Sequence, residues 1–288
     1  MGPVSIETIE SDVARTLVRA GTTFRRDQCE AYADALERES CEQPKWVLQQ
    51  ILENAEAGER CKAPLCDDTG IPHIFCQIGD EATLPPGFLP AVDRGIARGL
   101  CEMPGRPMAV RGDDVERITQ SAGLFGEPEM LLPAPIQIRR IPGNAVRLTV
   151  LLYGGGPEIR GKTLRVFHKH DLKVVVDEMI SWALEGTRLL GCQPCVLAYG
   201  IGRTNLEAAS LGLEAMALGN LCEQNEIERT ITEAVNESGV GPLGIGGETT
   251  VLSTFVKVGP QRASGVRIVS LRVGCCFDPR RATCAWQM

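Results

Sequence analysis

The stretch Leu65-Cys66-Asp67-Asp68-Thr69-Gly70-Ile71-Pro72 places a cysteine, two carboxylates and a hydroxyl just before a glycine turn. Thiolates bind soft metals and iron–sulfur clusters, whereas carboxylates move protons. Residues 71–79 are rich in β-branched and aromatic types and predict a strand, so the cysteine is expected at a loop-to-strand junction. Two later stretches also contain cysteines: Gly191-Cys192-Gln193-Pro194-Cys195 and Gly274-Cys275-Cys276. We hypothesise that one cysteine from each stretch binds a single cluster.

The composition limits the class of protein. The chain has 288 residues, of which 43% are hydrophobic, and this rules out a wholly disordered chain. Its 30 basic and 37 acidic residues give a net charge of -7, which argues against a general nucleic-acid binder. Residues 1–10 lack the apolar core of a signal peptide, and no apolar run is long enough to cross a bilayer. We therefore expect a soluble cytoplasmic protein with no membrane or nucleic-acid partner.

The 12 cysteines are many for a protein of a reducing compartment. A chain of this length does not resemble a small secreted disulfide scaffold, so most of them are expected to be buried as small hydrophobic residues. The pair Cys192 and Cys195 forms a CxxC, which alone suggests a redox pair or half of a zinc site. The second half of a zinc site is missing from the sequence, so only the arrangement of several cysteines can identify ligands.

The pattern along the chain predicts a mixed α/β fold. Three helices fill a helical N-terminal region, residues 1–60, with Ser5 as the first N-cap, Trp46 on the apolar stripe of the third helix and Gly58 as its end. An α/β domain with glycine-rich loops at its strand ends follows, residues 61–288. Its predicted strands are 71–79, 136–139, 145–153, 195–202, 249–258 and 266–273, and its predicted helices are 90–100, 171–190, one from Thr204, and 224–237. A turn at residues 142–144 joins the second and third strands.

Several polar side chains are candidates for binding a small anion. Arg106 lies in the irregular loop 103–107, where it could bind a carboxylate bidentately or be a solvated loop arginine. Glycines 154–156 follow a strand and could let the backbone approach an anion, although such runs also occur as plain turns and fit no nucleotide-binding pattern. Arg280 and Arg281 come just after the last predicted strand, where with the neighbouring cysteine they fit an anionic site, although paired arginines are also common surface residues. His168 and His170, at i and i+2, could bind a metal from a strand face but fit a solvated loop better.

Taken together, five segments resemble the α subunit of the iron–sulfur hydro-lyases, class I fumarase and L(+)-tartrate dehydratase. The segments are Cys66-Asp67-Asp68-Thr69-Gly70, glycines 154–156 followed by Glu158, Cys192 leading to Tyr199-Gly200-Ile201-Gly202, the loop 241–247, and Cys276-Phe277-Asp278-Pro279-Arg280-Arg281. Each motif alone is weak, but all five occur in the family order over most of residues 60–282.

The resemblance implies a [4Fe-4S] cluster held by Cys66, Cys192 and Cys276, with Cys276 preferred to Cys275 for its spacing to the arginines. Three thiolates leave one iron open as a Lewis acid. The implied reaction hydrates or dehydrates a small hydroxy acid with one or two carboxylates, similar to fumarate, malate or tartrate. The implied catalytic residues are Asp68 and Thr69, and the implied substrate-binding residues are Arg106, Gly155, Gly156, Arg280 and Arg281. The resemblance also implies a separate β subunit, in an αβ or α2β2 assembly.

Two positions depart from the family pattern. Asp67 stands where the family has glutamine, and Ser264 stands where a gap-free alignment from Cys276 places an active-site histidine. Both departures concern substrate handling rather than cluster ligation. They leave open a related hydroxy acid, a specialised biosynthetic enzyme, or a non-catalytic paralogue that serves as a scaffold or sensor. A zinc protein using the CxxC lacks partner ligands.

Overall fold

The computed structural model describes residues 4–288. The prediction that residues 1–10 contain no signal peptide concerns three residues, 1–3, that lie outside this range. Three leading helices are confirmed: α1 (Ile6–Thr22), α2 (Arg26–Arg38) and α3 (Glu42–Cys61). Ser5 caps α1 as predicted, because its hydroxyl accepts a hydrogen bond from the Thr8 amide at 3.1 Å.

Two details of the third helix were predicted wrongly. The helix continues past Gly58 to Cys61, because one glycine costs a helix about 1 kcal/mol rather than ending it. Trp46 is 62% exposed, whereas Val47, Ile51 and Ala55 are buried. Successive residues of a helix are rotated by about 100° around its axis. Trp46, which precedes the buried Val47, therefore points away from the apolar face.

The remaining elements confirm the mixed α/β class. In chain order they are β1 (Ile71–Gly79), α4 (Phe88–Glu102), α5 (Asp114–Thr119), β2 (Gln137–Ile141), β3 (Ala145–Tyr153), α6 (Gly155–Glu158), β4 (Lys162–Phe167), α7 (Leu172–Arg188), β5 (Cys195–Gly202), α8 (Asn205–Leu218), α9 (Glu226–Asn236), β6 (Val251–Val258), β7 (Val266–Gly274) and β8 (Arg280–Gln287). Strands β4 and β8 were not predicted from the sequence. Among the helices of residues 4–288, none combines the length and the apolarity that a bilayer crossing needs.

The chain forms two compact units, each with its own sheet and core. The first unit comprises Met1–Thr23, Ala57–Tyr153 and Arg280–Met288, and the second comprises Phe24–Glu56 and Gly154–Pro279. The boundary predicted at residue 60 marks where the leading helices end in sequence. Each compact unit, by contrast, is assembled from segments on both sides of that boundary.

The sheet of the first unit has the order β2-β1-β3-β8. Strand β1 runs parallel to β2 and antiparallel to β3, and β3 is antiparallel to β8. The predicted turn at residues 142–144 is present, but the two strands that it joins are not neighbours, because β1 lies between them. Helices α1 and α4 cover this sheet with fully buried side chains such as Val13, Leu17 and Ile96.

The sheet of the second unit has the order β4-β7-β5-β6. Strand β5 is parallel to β6 and antiparallel to β7, so the chain must cross over between β5 and β6 through α8 and α9. Every residue of β5 is buried, and its apolar side chains join a core that also contains Met179 and Trp182 of α7. The cysteines at residues 192, 195, 275 and 276 all lie near one end of this sheet, where β5 begins and β7 ends.

Candidate active site

The loop before β1 is shaped by its own sequence. Asp68 Oδ1 accepts a hydrogen bond from the Gly70 amide at 3.0 Å, which closes an Asx-type turn. Gly70 has φ +78°, and a Cβ atom there would lie 2.9 Å from the amide nitrogen of Tyr153. Only glycine satisfies both conditions without strain, so the order Asp-Thr-Gly encodes the turn that presents Cys66 and Asp68.

Thr69 connects this loop to the loop that carries Arg106. Its side chain is 2% exposed, and its Oγ1 atom accepts a hydrogen bond from the Arg106 amide at 2.7 Å. Gly105 permits this approach, because a Cβ atom there would lie 3.2 Å from the Thr69 methyl group. Thr69 therefore positions Arg106 relative to Asp68, and its assignment as a catalytic residue stays a prediction.

The two arginines at the end of the family motif come after β7, as predicted, and they also begin a further strand, β8, that was not predicted. Side chains alternate along a strand, so Arg280 and Arg281 point to opposite faces of the sheet. Arg280 is 3% exposed, and its Nη1 atom donates to the carbonyl oxygens of Asp68 at 2.5 Å and Thr69 at 3.4 Å. The geometry gives Arg280 a role in holding the loop, while substrate binding by either arginine stays a prediction.

Arg106 and Asp67 form an exposed ion pair. The Arg106 Nη1 atom lies 3.3 Å from Asp67 Oδ2, with the two side chains 56% and 86% exposed. The other carboxylate oxygen of Asp67 accepts from the Cys66 thiol at 3.6 Å. The residue that departs from the family pattern thus contacts both the predicted carboxylate-binding arginine and a predicted cluster ligand.

In the second unit, Gly155 and Gly156 open the short helix α6, and both are exposed. A Cβ atom at Gly156 would meet nothing within 4 Å, so the packing of the protein does not itself require glycine at this position. The carboxylate of Glu158 forms an ion pair with the Arg272 guanidinium at 2.5 Å. The glycine run is therefore a helical turn, and its contact with a substrate stays a prediction.

Cys192 and Cys276 lie on neighbouring loops of the second unit, because the Cys276 amide donates to the Cys192 carbonyl at 2.9 Å. Cys192 is exposed, whereas Cys276 is 5% exposed. The turn that carries Cys276 is held by α2. The Tyr32 hydroxyl donates to the Cys276 carbonyl at 2.5 Å, and the side-chain amide Nε2 of Gln28 donates to the Phe277 carbonyl at 3.1 Å. Sequence reasoning missed both of these supports, since nothing local to α2 signals a contact with so distant a turn.

The other cysteine of the CxxC has a different environment. Cys195 is fully buried at the start of β5, and this burial raises the pKa of its thiol. Its neighbour Cys275 is also buried, and its amide donates to the Asp278 carboxylate at 2.8 Å, which tightens the turn between β7 and β8. Of the twelve cysteines, all within residues 4–288, only Cys76, Cys195, Cys275 and Cys276 are buried, so the prediction that most of them are buried is wrong.

The histidine pair follows β4 in a turn, so the alternative that places it on a strand face is wrong. His168 Nε2 lies 2.7 Å from the Ser264 carbonyl, and its Nδ1 accepts from the His170 amide at 2.9 Å. Both ring nitrogens of His168 are thus occupied by the backbone.

Ser264, the residue at the position of the family's active-site histidine, lies far from Cys276. Ser264 precedes β7 and Cys276 follows it, and the nine residues of β7 at about 3.3 Å each separate them by roughly 30 Å. Within one chain, Ser264 cannot belong to a site around Cys276.

The twelve cysteines, all within residues 4–288, are thiols and form no disulfide. Over the same residues, no group of three or more histidine, cysteine or acidic side chains is gathered closely enough to hold a metal ion. The structure thus brings Asp67, Asp68, Thr69, Arg106 and Arg280 together in the first unit. It brings Cys192 and Cys276 together in the second.

Comparison with known proteins identifies the family. The family model described as "Fumarate hydratase (Fumerase)" matches residues 10–285. The "Putative L(+)-tartrate dehydratase subunit alpha" of Methanocaldococcus jannaschii is 27% identical over 279 residues, covering 93% of each chain. The L(+)-tartrate dehydratase subunit alpha of Escherichia coli strain K12 is 20% identical over 286 residues, covering 97% of this chain and 91% of that one. The chain belongs to the fumarate hydratase family of hydro-lyases.

Proposed function

We propose that this chain is the α subunit of a [4Fe-4S]-dependent hydro-lyase acting on a small hydroxy acid with one or two carboxylates. The observation that carries the proposal is the loop around Asp68. Its turn, its contact with Arg280 and its link through Thr69 to Arg106 join Asp68 and Arg106 in one hydrogen-bonded framework. This framework supports the proposal that Asp68 transfers a proton and that Arg106 binds a carboxylate.

The donor set fits an iron–sulfur cluster. Cys66, Cys192 and Cys276 are all thiols, the ligand type that such clusters take. The hydrogen bond between the loops of Cys192 and Cys276 fixes two of these ligands relative to each other. When bound, a cluster held by three thiolates supplies an open iron that acts as a Lewis acid on the leaving hydroxyl group.

The residues of this chain have separate roles in the proposed reaction. The Arg106 guanidinium binds the substrate carboxylate that lies away from the leaving hydroxyl. Asp68 takes or returns the proton on the carbon beside that carboxylate, and the Gly70 amide fixes its orientation. The backbone of Gly155 and Gly156 and the guanidinium groups of Arg280 and Arg281 complete the predicted substrate-binding set, with Arg280 acting through the loop that it holds.

A separate β subunit completes the proposed enzyme. The relatives in Methanocaldococcus jannaschii and Escherichia coli are both described as a subunit alpha, and this chain covers more than nine tenths of each. We propose an αβ or α2β2 assembly in the cytoplasm. Little hydro-lyase activity is expected from this chain alone, and robust turnover of fumarate by the isolated chain would refute the need for a partner.

Iron and sulfide analysis after anaerobic purification tests the cluster. About four irons per chain are expected, together with a [3Fe-4S] electron paramagnetic resonance signal after mild oxidation. Replacing Cys66, Cys192 or Cys276 by serine should abolish cluster binding. Replacing the exposed Cys61 by serine is the matched control and should leave the iron content unchanged. Full iron occupancy in the Cys192→Ser protein would refute the ligand assignment.

A further inference from the structure

The ion pair between Asp67 and Arg106 lies where the substrate carboxylate is proposed to bind. Within the described residues 4–288, Asp67 is the one acceptor of the Arg106 guanidinium, through Nη1 at 3.3 Å. The donors Nε and Nη2 have no acceptor in that part of the chain. A ligand carboxylate could therefore bind the same guanidinium while the Asp67 carboxylate stays beside it.

Buried side chains hold the backbone at or next to both members of the ion pair. The Arg106 amide is fixed by the buried hydroxyl of Thr69, and the carbonyl of the residue after Asp67 is fixed by Arg280. Asp67 Oδ2 accepts from Arg106, and Asp67 Oδ1 accepts from Cys66 only while Cys66 is a protonated thiol. A Cys66 thiolate in the proposed cluster would leave Oδ1 able to accept from a ligand. Each oxygen retains a second lone pair that can accept another hydrogen bond.

We propose that Asp67 determines specificity by favouring substrates with a hydroxyl group on the carbon next to the Arg106-bound carboxylate. This inference rests on the carboxylate-binding role of Arg106 in the proposed function. A bare ligand carboxylate brings a second anion next to Asp67 and is repelled. A ligand with a neighbouring hydroxyl donates a hydrogen bond to Asp67, which offsets that repulsion. The site is thus suited to a tartrate-like acid rather than to a dicarboxylate without hydroxyl groups.

The expected effect is modest, because both side chains are exposed. Exposed ion pairs contribute little, which corresponds to about a two- to fivefold change in a binding constant. The size of the effect should decrease as salt is added, because ions screen exposed charges.

Calorimetric titration of the full chain, purified anaerobically, tests the proposal with L(+)-tartrate and succinate as probes. The wild-type chain should bind tartrate more tightly than succinate. Asp67→Asn should tighten succinate binding about two- to fivefold and reduce the preference for tartrate. Asp80→Asn is the matched control, because Asp80 also forms an exposed ion pair, with Arg140, in the same unit.

An unchanged ratio of the tartrate and succinate binding constants in Asp67→Asn would overturn the proposal. The proposal would also be overturned if neither tartrate nor succinate bound to the wild-type chain or to Asp67→Asn. A changed ratio without turnover of any hydroxy acid in the presence of the β chain would support the role of Asp67 and refute the proposed function. Turnover of a hydroxy acid together with an unchanged ratio of binding constants would support the proposed function and refute the role of Asp67.

Discussion

Replacement of Arg280 by methionine tests whether this buried arginine holds the loop that carries Cys66 and Asp68. Methionine keeps an apolar stem that reaches the position of Nε, but it has no guanidinium group and no hydrogen-bond donor. In the wild-type protein the guanidinium is 3% exposed and donates to the carbonyl oxygens of Asp68 and Thr69. The substitution therefore removes both of these charged hydrogen bonds, one short and one long, from a site that water scarcely reaches.

The magnitude follows from the shorter contact. A hydrogen bond from a charged group contributes about 1.5–3 kcal/mol, and a carbonyl left without its donor adds part of its desolvation cost. We therefore expect a loss of about 2–3 kcal/mol in the free energy of unfolding. For a chain of this size each kcal/mol lowers Tm by about 2–4 °C, so the expected decrease is about 4–12 °C.

Thermal unfolding followed by circular dichroism measures this decrease. Arg147→Met is the matched control, because Arg147 is exposed on β3 of the same sheet and should change stability by no more than about 0.5 kcal/mol. Hydrogen exchange adds a local readout, with faster exchange expected at the Gly70 amide. If Arg280→Met unfolds at the same temperature as Arg147→Met, the contact does not hold the loop and our reasoning is refuted.

Three further predictions concern other parts of the two units. Tyr32→Phe leaves the buried Cys276 carbonyl without its donor and should cost about 1–3 kcal/mol in urea unfolding; an unchanged midpoint would contradict this. Gly70→Ala should destabilise the protein by more than about 1 kcal/mol, because alanine is strained at positive φ and its Cβ meets the backbone. Gly156→Ala, where a Cβ has open space, is the control, and equal Tm values for the two variants would refute the argument. Burial raises the pKa of Cys76 from 9.0 to about 11, so its contribution to stability is complete below pH 9 and lost as the pH rises through about 11. The decrease in Tm between pH 9 and 11 should be smaller in Cys76→Ala, and an identical decrease would argue against a buried thiol there.

The strands that the sequence predicted well are those with continuous apolar runs. Strands β1, β3 and β5 begin and end at the predicted residues, because β-branched and aromatic residues in a buried sheet leave few alternatives. Strand β8 was missed, because Arg280-Arg281-Ala282-Thr283-Cys284-Ala285-Trp286-Gln287 has a single β-branched residue and begins with two charges. Its pairing with β3, far earlier in the chain, is what makes it a strand.

The same division applies to the candidate site. The sequence alone determined the features that depend on neighbouring residues: the family motifs, the Ser5 cap and the Asp68-Thr69-Gly70 turn, since their hydrogen bonds close within a few positions. Tertiary structure alone decided which distant groups support them. Arg280 reaches Asp68 across 212 positions and Tyr32 reaches Cys276 across 244, and no local pattern signals either pairing. Such contacts form because packing within the core of each unit brings particular strands and helices together, and that packing depends on segments that are distant in the sequence rather than on any one of them.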